Sequence, residues 1–210
     1  MIVTLDEEAA ERLRDCVAAG GVAVFPSDTV YGVCCDPDNE EAARRLYALK
    51  GRPSARACAV MFFALGDALE LLDDLHDSER EALQSLLPGP VTVLLANRRQ
   101  RFASACRVDP STLGLRVPAL LGDLETLSTV GVPVLQSSAN LSGEPDARTL
   151  DQVPEALREG ADLVIDGGEL PGTPSTVIDL RDLDEERRWY VLREGAVPRE
   201  NVEHALAAVV

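Results

Sequence analysis

The sequence predicts a single α/β domain built around a mixed, partly parallel sheet. Short apolar segments that match buried strands alternate with longer segments of helical periodicity along the chain, and such interleaving is typical of α/β folds. Of the 210 residues, 46% are hydrophobic and only 4% are aromatic, so we expect a core made mostly of Val, Leu and Ala. No repeat, low-complexity tract or linker divides the chain, and we expect one domain over residues 1–210.

The first half of the chain alternates helices with two strands. Gly20 ends the first helix, Asn39 is the predicted N-cap of the second, Gly51 lies just past its end, and Pro88 stops the last. The predicted elements are helix 6–19, strand 22–25, helix 40–50, strand 57–63 and helices 66–74 and 78–87.

The second half contains more strands, several of which run into polar loops. Pro118 ends one of these strands, and the chain closes with a helix. The predicted elements are strands 91–96 and 113–117, helix 122–130, strand 132–135, helix 151–159, strands 163–165, 176–180 and 189–192, and helix 199–209. Ligands of such sheets usually bind on the loops that follow strand ends.

Composition argues against several classes of protein. The longest apolar run has nine residues, against roughly 18 needed to span a bilayer, and the N-terminus lacks a basic region and an apolar signal segment, so we expect a cytoplasmic protein without membrane contact. The formal charge of −16 opposes tight, nonspecific binding to nucleic acid. Five cysteines without a C-x-x-C pair predict reduced, mostly buried thiols. Adjacent Cys34 and Cys35 would point to opposite faces of a strand.

Familiar catalytic arrangements are missing from the sequence. Both histidines, His76 and His204, fall in charged helical stretches and read as surface residues, so a histidine triad or a zinc site is not expected. The chain has no G-x-S-x-G elbow, no P-loop and no G-x-G-x-x-G fingerprint. A protein of this sequence that binds ATP needs a different phosphate cradle.

Four polar segments next to apolar strands are the candidate site. The first, 26–32, clusters hydroxyls, a carboxylate and a phenol, and is also explained by an Asx or Ser turn. The fourth, 137–143, supplies compact donors and acceptors, and is also explained by a turn or helix cap. The third carries Arg116 inside a strand pattern, where it needs a partner, either a substrate carboxylate or an internal acid.

The second segment carries Lys50, the only lysine among 20 basic residues. Lys50 and Arg52 flank a glycine and can converge on one anion, although a cation at a helix C-terminus is also an ordinary cap. Since the other 19 basic positions are Arg, the single lysine suggests a task that Arg does not perform. We expect Lys50→Ala to abolish that task and to leave the fold intact.

In this order the segments resemble the YrdC/TsaC family of L-threonylcarbamoyl-AMP synthases. Seven pieces match the family motifs P-T-x-T-V-Y-G-L, K-x-R-P, P-G-P-x-T, R-x-P, S-A-N-x-S-G, S-T-V and R-x-G: residues 26–33, 50–53, 88–92, 116–118, 138–143, 175–177 and 193–195. The motif-bearing core therefore spans about 22–195, and we expect no additional C-terminal domain. The chain departs from the family at Ser27, which replaces a threonine, at 56–58, where R-A-C stands for K-P-L, and near Phe63, where some relatives have a histidine.

The resemblance implies a fold, a reaction and partners. The fold is a twisted mixed sheet flanked by helices around a concave, positively lined cavity. The enzyme would condense L-threonine, bicarbonate or CO2, and ATP to threonylcarbamoyl-AMP and pyrophosphate, as a nucleotidyltransferase that serves N6-threonylcarbamoyladenosine formation in tRNA. Mg²⁺ would be carried by the ATP phosphates rather than by a protein metal site. The resemblance also implies that the protein contacts tRNA or the downstream threonylcarbamoyl-transfer complex transiently.

The resemblance also assigns roles to individual residues. Lys50 and Arg52 are the predicted catalytic residues, on the ATP phosphates. The other predicted ATP-binding residues are Ser54, Thr112, Ser138, Asn140, Arg148 and Arg193. The predicted threonine-binding residues are Ser27, Thr29, Tyr31, Arg116 and Ser175, with Arg116 on the carboxylate.

Two other functions remain compatible with the residues. A noncatalytic protein could bind tRNA or double-stranded RNA in a basic cavity, although the acidic charge of the chain opposes this. A carbamoyltransferase-type module could use carbamoyl phosphate, although such modules occur with partner domains that this sequence lacks.

Overall fold

The structure is a computed structural model that describes residues 1–51, 57–107 and 109–209. Its strands are β1 Ile2–Thr4, β2 Ala23–Phe25, β3 Gly32–Cys35, β4 Ala59–Met61, β5 Val91–Ala96, β6 Thr112–Arg116, β7 Val134–Ser138, β8 Leu163–Asp166, β9 Thr176–Asp179 and β10 Tyr190–Arg193. Its α-helices are α1 Ala9–Ala18, α2 Glu40–Leu49, α3 Leu65–Leu71, α4 Asp77–Leu86, α5 Ala103–Cys106, α6 Glu155–Gly160, α7 Leu183–Glu186 and α8 Arg199–Leu206. Two 3₁₀ segments, Gly122–Thr129 and Leu150–Gln152, complete the described elements.

The strands form one mixed sheet in the order β1-β8-β2-β3-β7-β4-β6-β5-β9-β10. Pairs β1/β8, β2/β8, β4/β6 and β5/β9 are parallel, and the remaining neighbours are antiparallel. The predicted α/β class with a mixed sheet is confirmed.

The two faces of the sheet are covered to different extents. One face packs helices α2 to α8 onto apolar side chains from β2 through β9, such as Val33, Leu115 and Ile178. The other face packs α1 and the 3₁₀ segment 122–129, and its apolar side chains come from β2, β3, β4, β7 and β8. Strands β5, β6 and β9 contribute nothing to this second cluster. The second face is thus a groove over β4-β6-β5-β9-β10, among the described residues.

Small and polar side chains occupy the groove because the strand register brings them into two adjacent rows. Ala59 lies beside Gly114, and in the next row Arg116 lies beside Thr92. Thr92 is paired in turn with Val177 of β9. A Cβ on Gly114 would stand only 3.3 Å from the Cα of Ala59, so the glycine keeps the floor of the groove low. The open face therefore carries side chains that the described helices do not cover.

One carboxylate links three elements at the closed end of the sheet. Asp162 accepts hydrogen bonds from the N–H of Val22 at 2.8 Å and from Nη1 of Arg45 at 2.6 Å. Burial raises the pKa of Asp162, but the bonds from Arg45 and Val22 outweigh that effect, and the pKa is lowered overall.

Several local predictions are confirmed by the structure. The predicted strand 91–96 coincides with β5. Asn39 caps α2 by accepting from the N–H of Ala42 at 3.0 Å, and Gly51 follows the helix with φ of 56°. All five cysteines are free and four are buried, and Cys34 and Cys35 lie in the clusters on opposite faces of the sheet.

Other elements differ from the predictions. Strand β3 was missed because it continues directly from a polar loop, and the exposed edge strand β1 and the four-residue helices α5 and α7 carry too short a pattern. The predicted helix 122–130 is a 3₁₀ segment, and the predicted helix 151–159 is shortened to α6. No described helix is long and apolar enough to cross a membrane.

Candidate active site

A cavity of about 180 Å³ lies in the groove. It is lined by the cations Arg116 and Arg193, by the carboxylate of Asp146, by the hydroxyl-bearing Thr92, Ser137, Ser138 and Ser175, and by the amide of Gln136. At about 30 Å³ per water molecule, the cavity has room for roughly six waters, which suits a small amino acid better than a whole nucleotide. A second cavity of about 220 Å³ adjoins it, sharing Ala57, Cys58, Ala59 and Thr92.

Arg116 is held by the first polar segment on one side of its guanidinium. Its Nη2 donates to Oδ1 of Asp28 at 2.5 Å and to Oγ1 of Thr29 at 2.6 Å, and the two ionised side chains are only 5% and 6% exposed. Oδ2 of Asp28 accepts from the N–H of Ala119, which fixes the carboxylate. Among the described residues, Nε and Nη1 of Arg116 have no hydrogen-bond partner. Arg116 therefore has an internal acid as partner. Its Nε is enclosed by protein, and Nη1 is the donor left for a ligand in the cavity.

Arg193 crosses from the edge strand β10 to the loop before β9. Its Nη2 donates to the carbonyl of Ser175 at 2.7 Å and to Oγ of Ser175 at 3.2 Å, and that hydroxyl lies 2.8 Å from Oγ1 of Thr92. Burial lowers the pKa of the Arg193 guanidinium, and Arg116 adds to this effect while Asp146 opposes it. The two arginines and Asp146 thus line the same cavity and interact electrostatically.

Gly195 makes this arrangement possible. A Cβ at Gly195 would overlap the carbonyl oxygen of Pro174 and the backbone of Ser175. The N–H of Gly195 instead donates to Oγ1 of Thr176 at 3.0 Å, and the chain after β10 lies directly against the loop. The glycine of the R-x-G segment is thus required by a close backbone approach.

Lys50 lies behind the cavity and is absent from its lining. The side chain is 1% exposed, and its Nζ donates to the carbonyls of Ser138 and Asn140, the latter at 2.8 Å, and to Oδ1 of Asn140 at 3.1 Å. The N–H of Ser142 donates to the carbonyl of Lys50 in return. The ammonium therefore anchors the 138–142 loop to the end of α2.

Asn140 is itself occupied by hydrogen bonds within this loop. Its Oδ1 also accepts from Oγ of Ser138 at 2.6 Å, and its Nδ2 donates to the carbonyl of Glu144 at 2.5 Å. Ser138 lines the cavity, whereas Asn140 supports it from behind.

The predicted threonine-binding residues of the first segment lie around the cavity rather than in its lining. Ser27 is buried and its hydroxyl donates to the carbonyl of Val30 at 2.7 Å, and Thr29 is buried against Arg116. The hydroxyl of Tyr31 donates toward Asp166 and Gly168, and burial raises the pKa of Tyr31 to about 12. Among these three residues, Thr29 is the one that contacts a cavity-lining side chain.

The remaining predicted nucleotide residues are separated. Thr112 lines the second cavity and accepts from Nη1 of Arg181 at 3.0 Å. Arg148 is exposed and paired with Oε1 of Glu169 at 2.5 Å, outside the lining of both cavities. Arg52 and Ser54 lie outside the described residues.

Five polar residues of the site had no predicted role: Asp28, Thr92, Gln136, Ser137 and Asp146. Asp28 belongs to the first polar segment, where its carboxylate could have been matched with the lone strand arginine. Gln136 and Asp146 gave no signal, because a single amide in an apolar strand and an acid in a loop follow no spacing rule.

A family model described as telomere recombination, Sua5/YciO/YrdC, matches residues 15–195. The chain belongs to the Sua5/YciO/YrdC family. The predicted resemblance to YrdC-like proteins is thereby confirmed. The groove and its two arginines thus lie within the matched part of a Sua5/YciO/YrdC chain.

Two curated relatives of this Sua5/YciO/YrdC chain share one name. The chain is 33% identical over 187 residues to the threonylcarbamoyl-AMP synthase of Chromohalobacter salexigens, covering 87% of this chain and 100% of that protein. It is 30% identical over 197 residues to the threonylcarbamoyl-AMP synthase of Pyrococcus abyssi, covering 92% of this chain. The chain spans only 56% of the length of the Pyrococcus protein.

A solved structure of the family is similar throughout the chain. P. abyssi Sua5 complexed with L-threonine superposes with a TM-score of 0.82 at 26% identity, over 98% of this chain and 60% of that one. The fold is therefore shared over nearly the whole described length.

Proposed function

We propose that the chain is an L-threonylcarbamoyladenylate synthase, a nucleotidyltransferase that makes threonylcarbamoyl-AMP and pyrophosphate from L-threonine, bicarbonate or CO2, and ATP. The product would supply N6-threonylcarbamoylation of adenosine in tRNA. The observation that carries this proposal is a small cavity whose two arginines are preorganised by protein partners while Nη1 of Arg116 remains available to a ligand. Relatives named for this activity and a threonine complex of Sua5 support the assignment.

In this proposal Arg116 binds the carboxylate of threonine. A guanidinium offers planar, paired donors that match a carboxylate. Asp28 and Thr29 hold Nη2, so that Nη1 need not reorient when the substrate enters. Preorganisation of this kind lowers the cost of ordering the site on binding.

The chemistry requires alignment more than a protein nucleophile. The threonine nitrogen attacks CO2 and loses a proton to give a carbamate, whose oxygen then attacks the α-phosphorus of ATP as the bond to pyrophosphate breaks. Negative charge develops on phosphate oxygens during this step, and fixed cations at that position stabilise it. Arg193, held on Ser175, is the described cation that lines the cavity beside Arg116.

Lys50 and Arg52 retain their proposed role on the nucleotide side. The bonds of Lys50 to Ser138 and Asn140 indicate that it also positions the 138–142 loop, on which the nucleotide would rest. Ser54, Thr112 and Arg148 complete the proposed nucleotide contacts.

Magnesium would bind mainly through ATP. Asp146 is the one carboxylate in the lining of the first cavity, and the described residues include no cluster of three or more His, Cys, Asp or Glu suited to a metal. Mg²⁺ commonly binds through substrate phosphates with one or two carboxylates, so this donor set fits such an ion. Mg²⁺ neutralises phosphate charge when bound.

Product analysis by mass spectrometry tests the proposal. The protein, incubated with ATP, threonine and ¹³C-bicarbonate, is expected to form ¹³C-labelled threonylcarbamoyl-AMP together with pyrophosphate. Omission of any one substrate should abolish both products, and carbamoyl phosphate should not replace threonine and bicarbonate. Pyrophosphate release that is independent of threonine would contradict the proposal.

A pair of arginine variants connects the activity with the cavity. Arg116→Met is expected to reduce the rate at low threonine concentration, because the carboxylate of threonine loses its partner. Arg44→Met is the matched control, since Arg44 is 64% exposed and, among the described residues, makes only a long ion pair with Glu40 on α2. Equal activity of the two variants would remove Arg116 from the proposed site.

A further inference from the structure

The amide of Gln136 is a polar group that faces the cavity and has no hydrogen-bond partner among the described residues. Gln136 is 6% exposed and lines the cavity. Among the residues that the structure describes, no side chain or backbone group hydrogen-bonds to this amide. Gln136 has no place in the mechanism described above.

The fold directs this side chain into the cavity. Gln136 lies on β7 between Cys34 of β3 and Ala59 of β4, in the row that forms the floor of the groove. Its Nε2 would stand 3.1 Å from a Cβ on Gly32, so Gly32 leaves the space that the amide occupies. On the other side, Ala59 and Gly114 present almost no side chain toward Arg116.

The amide of Gln136 faces the water-accessible space of the cavity. A ligand that displaces water from this space must supply hydrogen bonds of its own, because a donor or acceptor left without a partner in the filled site is costly. The arrangement is therefore explained most directly by a substrate group that completes the hydrogen bonds.

The charges around Gln136 limit what that group can be. Arg116 and Arg193, which line the same cavity, are better suited than a neutral amide to bind carboxylate and phosphate oxygens. A neutral amide both donates and accepts, and so does a neutral hydroxyl. Gln136 and Arg116 both line the cavity, and two strand spacings, about 10 Å, separate the β7 and β6 backbones, a distance that a small amino acid can bridge.

We propose that Gln136 is a specificity-determining residue that hydrogen-bonds the side-chain hydroxyl of L-threonine while Arg116 holds its carboxylate. This role rests on the proposed function. A site built to bond a substrate hydroxyl rejects the analogue that lacks it, because the buried polar group of the site is then left unpaired. The enzyme should accordingly discriminate strongly between L-threonine and L-2-aminobutyrate, which has the same backbone and no hydroxyl.

Gln136→Met tests the role with a side chain of similar length and no hydrogen bonds. In the parent protein, kcat/KM for threonine should exceed that for 2-aminobutyrate by at least about 100-fold. In Gln136→Met, the value for threonine should fall by about 100-fold, and the value for 2-aminobutyrate should stay within about threefold. Calorimetric titration with both amino acids, without ATP, should show the same loss of preference in Kd.

Two further variants keep the test decisive. Gln84→Met makes the same chemical change on the exposed side of α4 and should preserve the preference. If Gln136→Met melts too low to assay, Gln136→Glu takes its place. It keeps the shape and an acceptor, and should retain part of the threonine preference of the parent protein.

The outcomes separate this role from the proposed function. No threonine-dependent product from the parent protein would overturn the function itself. In a second outcome, the parent protein is active and Gln136→Met lowers kcat/KM for threonine and for 2-aminobutyrate equally. That result would show that Gln136 contacts the carbamate or backbone that the two amino acids share, and would overturn the hydroxyl contact. An unchanged preference in Gln136→Met would overturn any role in specificity.

Discussion

Replacement of Lys50 should affect both the stability and the activity of the protein. Its ammonium is 1% exposed and donates to Ser138 and Asn140. In Lys50→Ala these acceptors lose a charged donor, and the long side chain leaves a cavity, so we expect a loss of about 3–5 kcal/mol in the free energy of unfolding. The melting temperature should fall by roughly 10 °C for a chain of this size. The variant should still fold, as expected from the sequence, but with this lower stability.

Lys50→Arg separates the two roles of the residue. A guanidinium is larger and planar, and placing it in a packed site costs about 1–3 kcal/mol. Because its donors lie in a fixed plane, it should not reproduce the three bonds to the 138–142 loop. We expect adenylate formation in both variants to fall by about 10² to 10³ when a positioned cation is lost or displaced.

A destabilised control shows whether the loss of activity is specific. Leu83→Ala removes a fully buried side chain of α4 that lies outside both cavities, at a cost of about 2–5 kcal/mol. Pyrophosphate release should be assayed well below the melting temperature of each variant, alongside thermal melting. Near-normal activity of Lys50→Arg would show that Lys50 has a structural role only. If Leu83→Ala were equally inactive, the loss of activity would be explained by unfolding.

Three further changes are expected to have measurable effects. Asp28→Asn leaves Arg116 buried without its acid, so urea unfolding should show a loss of about 3–5 kcal/mol, and the KM for threonine should rise. Gly195→Ala should displace Arg193 from the loop and reduce the rate at least tenfold in the pyrophosphate assay. Because the pKa of Asp162 is lowered in the folded state, its contribution to stability is complete above the unfolded pKa of about 3.9 and is lost as the pH falls from there through the lower folded pKa. The melting temperature of Asp162→Asn should therefore decline less steeply than that of the parent protein below about pH 4.

Each of these changes has a matched control in the chain. Asp15→Asn alters an exposed carboxylate of α1 and should leave both stability and KM unchanged, in contrast to the changes at Asp28 and Asp162. Gly66→Ala adds a Cβ that meets no atom within 4 Å and should leave the rate unchanged. If Gly195→Ala were as active as Gly66→Ala, the close approach at Gly195 would not position Arg193.

The fold was more accessible from the sequence than the pairing of its strands. Apolar runs such as β5 and capped helices such as α2 carry local signals, because burial and capping act over a few residues. Strand β3 was missed because Gly32 and the two cysteines continue directly from polar residues, and only its pairing with β2 and β7 makes it a strand. The order of the ten strands depends on contacts between distant segments, which no local pattern contains.

The candidate site could be predicted as a set of segments, but not atom by atom. Arg116, Ser138, Ser175 and Arg193 line one cavity, as expected for residues at strand ends. Lys50 was singled out correctly as unusual, yet the bonds that occupy its ammonium follow from the folded position of the 138–142 loop. A sequence shows which polar groups are present, whereas burial decides which of them are already bonded and which remain for a ligand.

The position of the cavity follows from the incomplete covering of the sheet. Helix α1 and the 3₁₀ segment 122–129 cover the second face only from β8 to β4, and beyond them β6, β5 and β9 present small or polar side chains. Apolar side chains there would demand another helix, whereas Arg116 is paired with Asp28 through Nη2 and lines the cavity. A bound substrate would therefore cover the part of the sheet that no described helix covers. Since ligand binding stabilises the native state by mass action, threonine and ATP together should raise the melting temperature through the same contacts that align them for reaction.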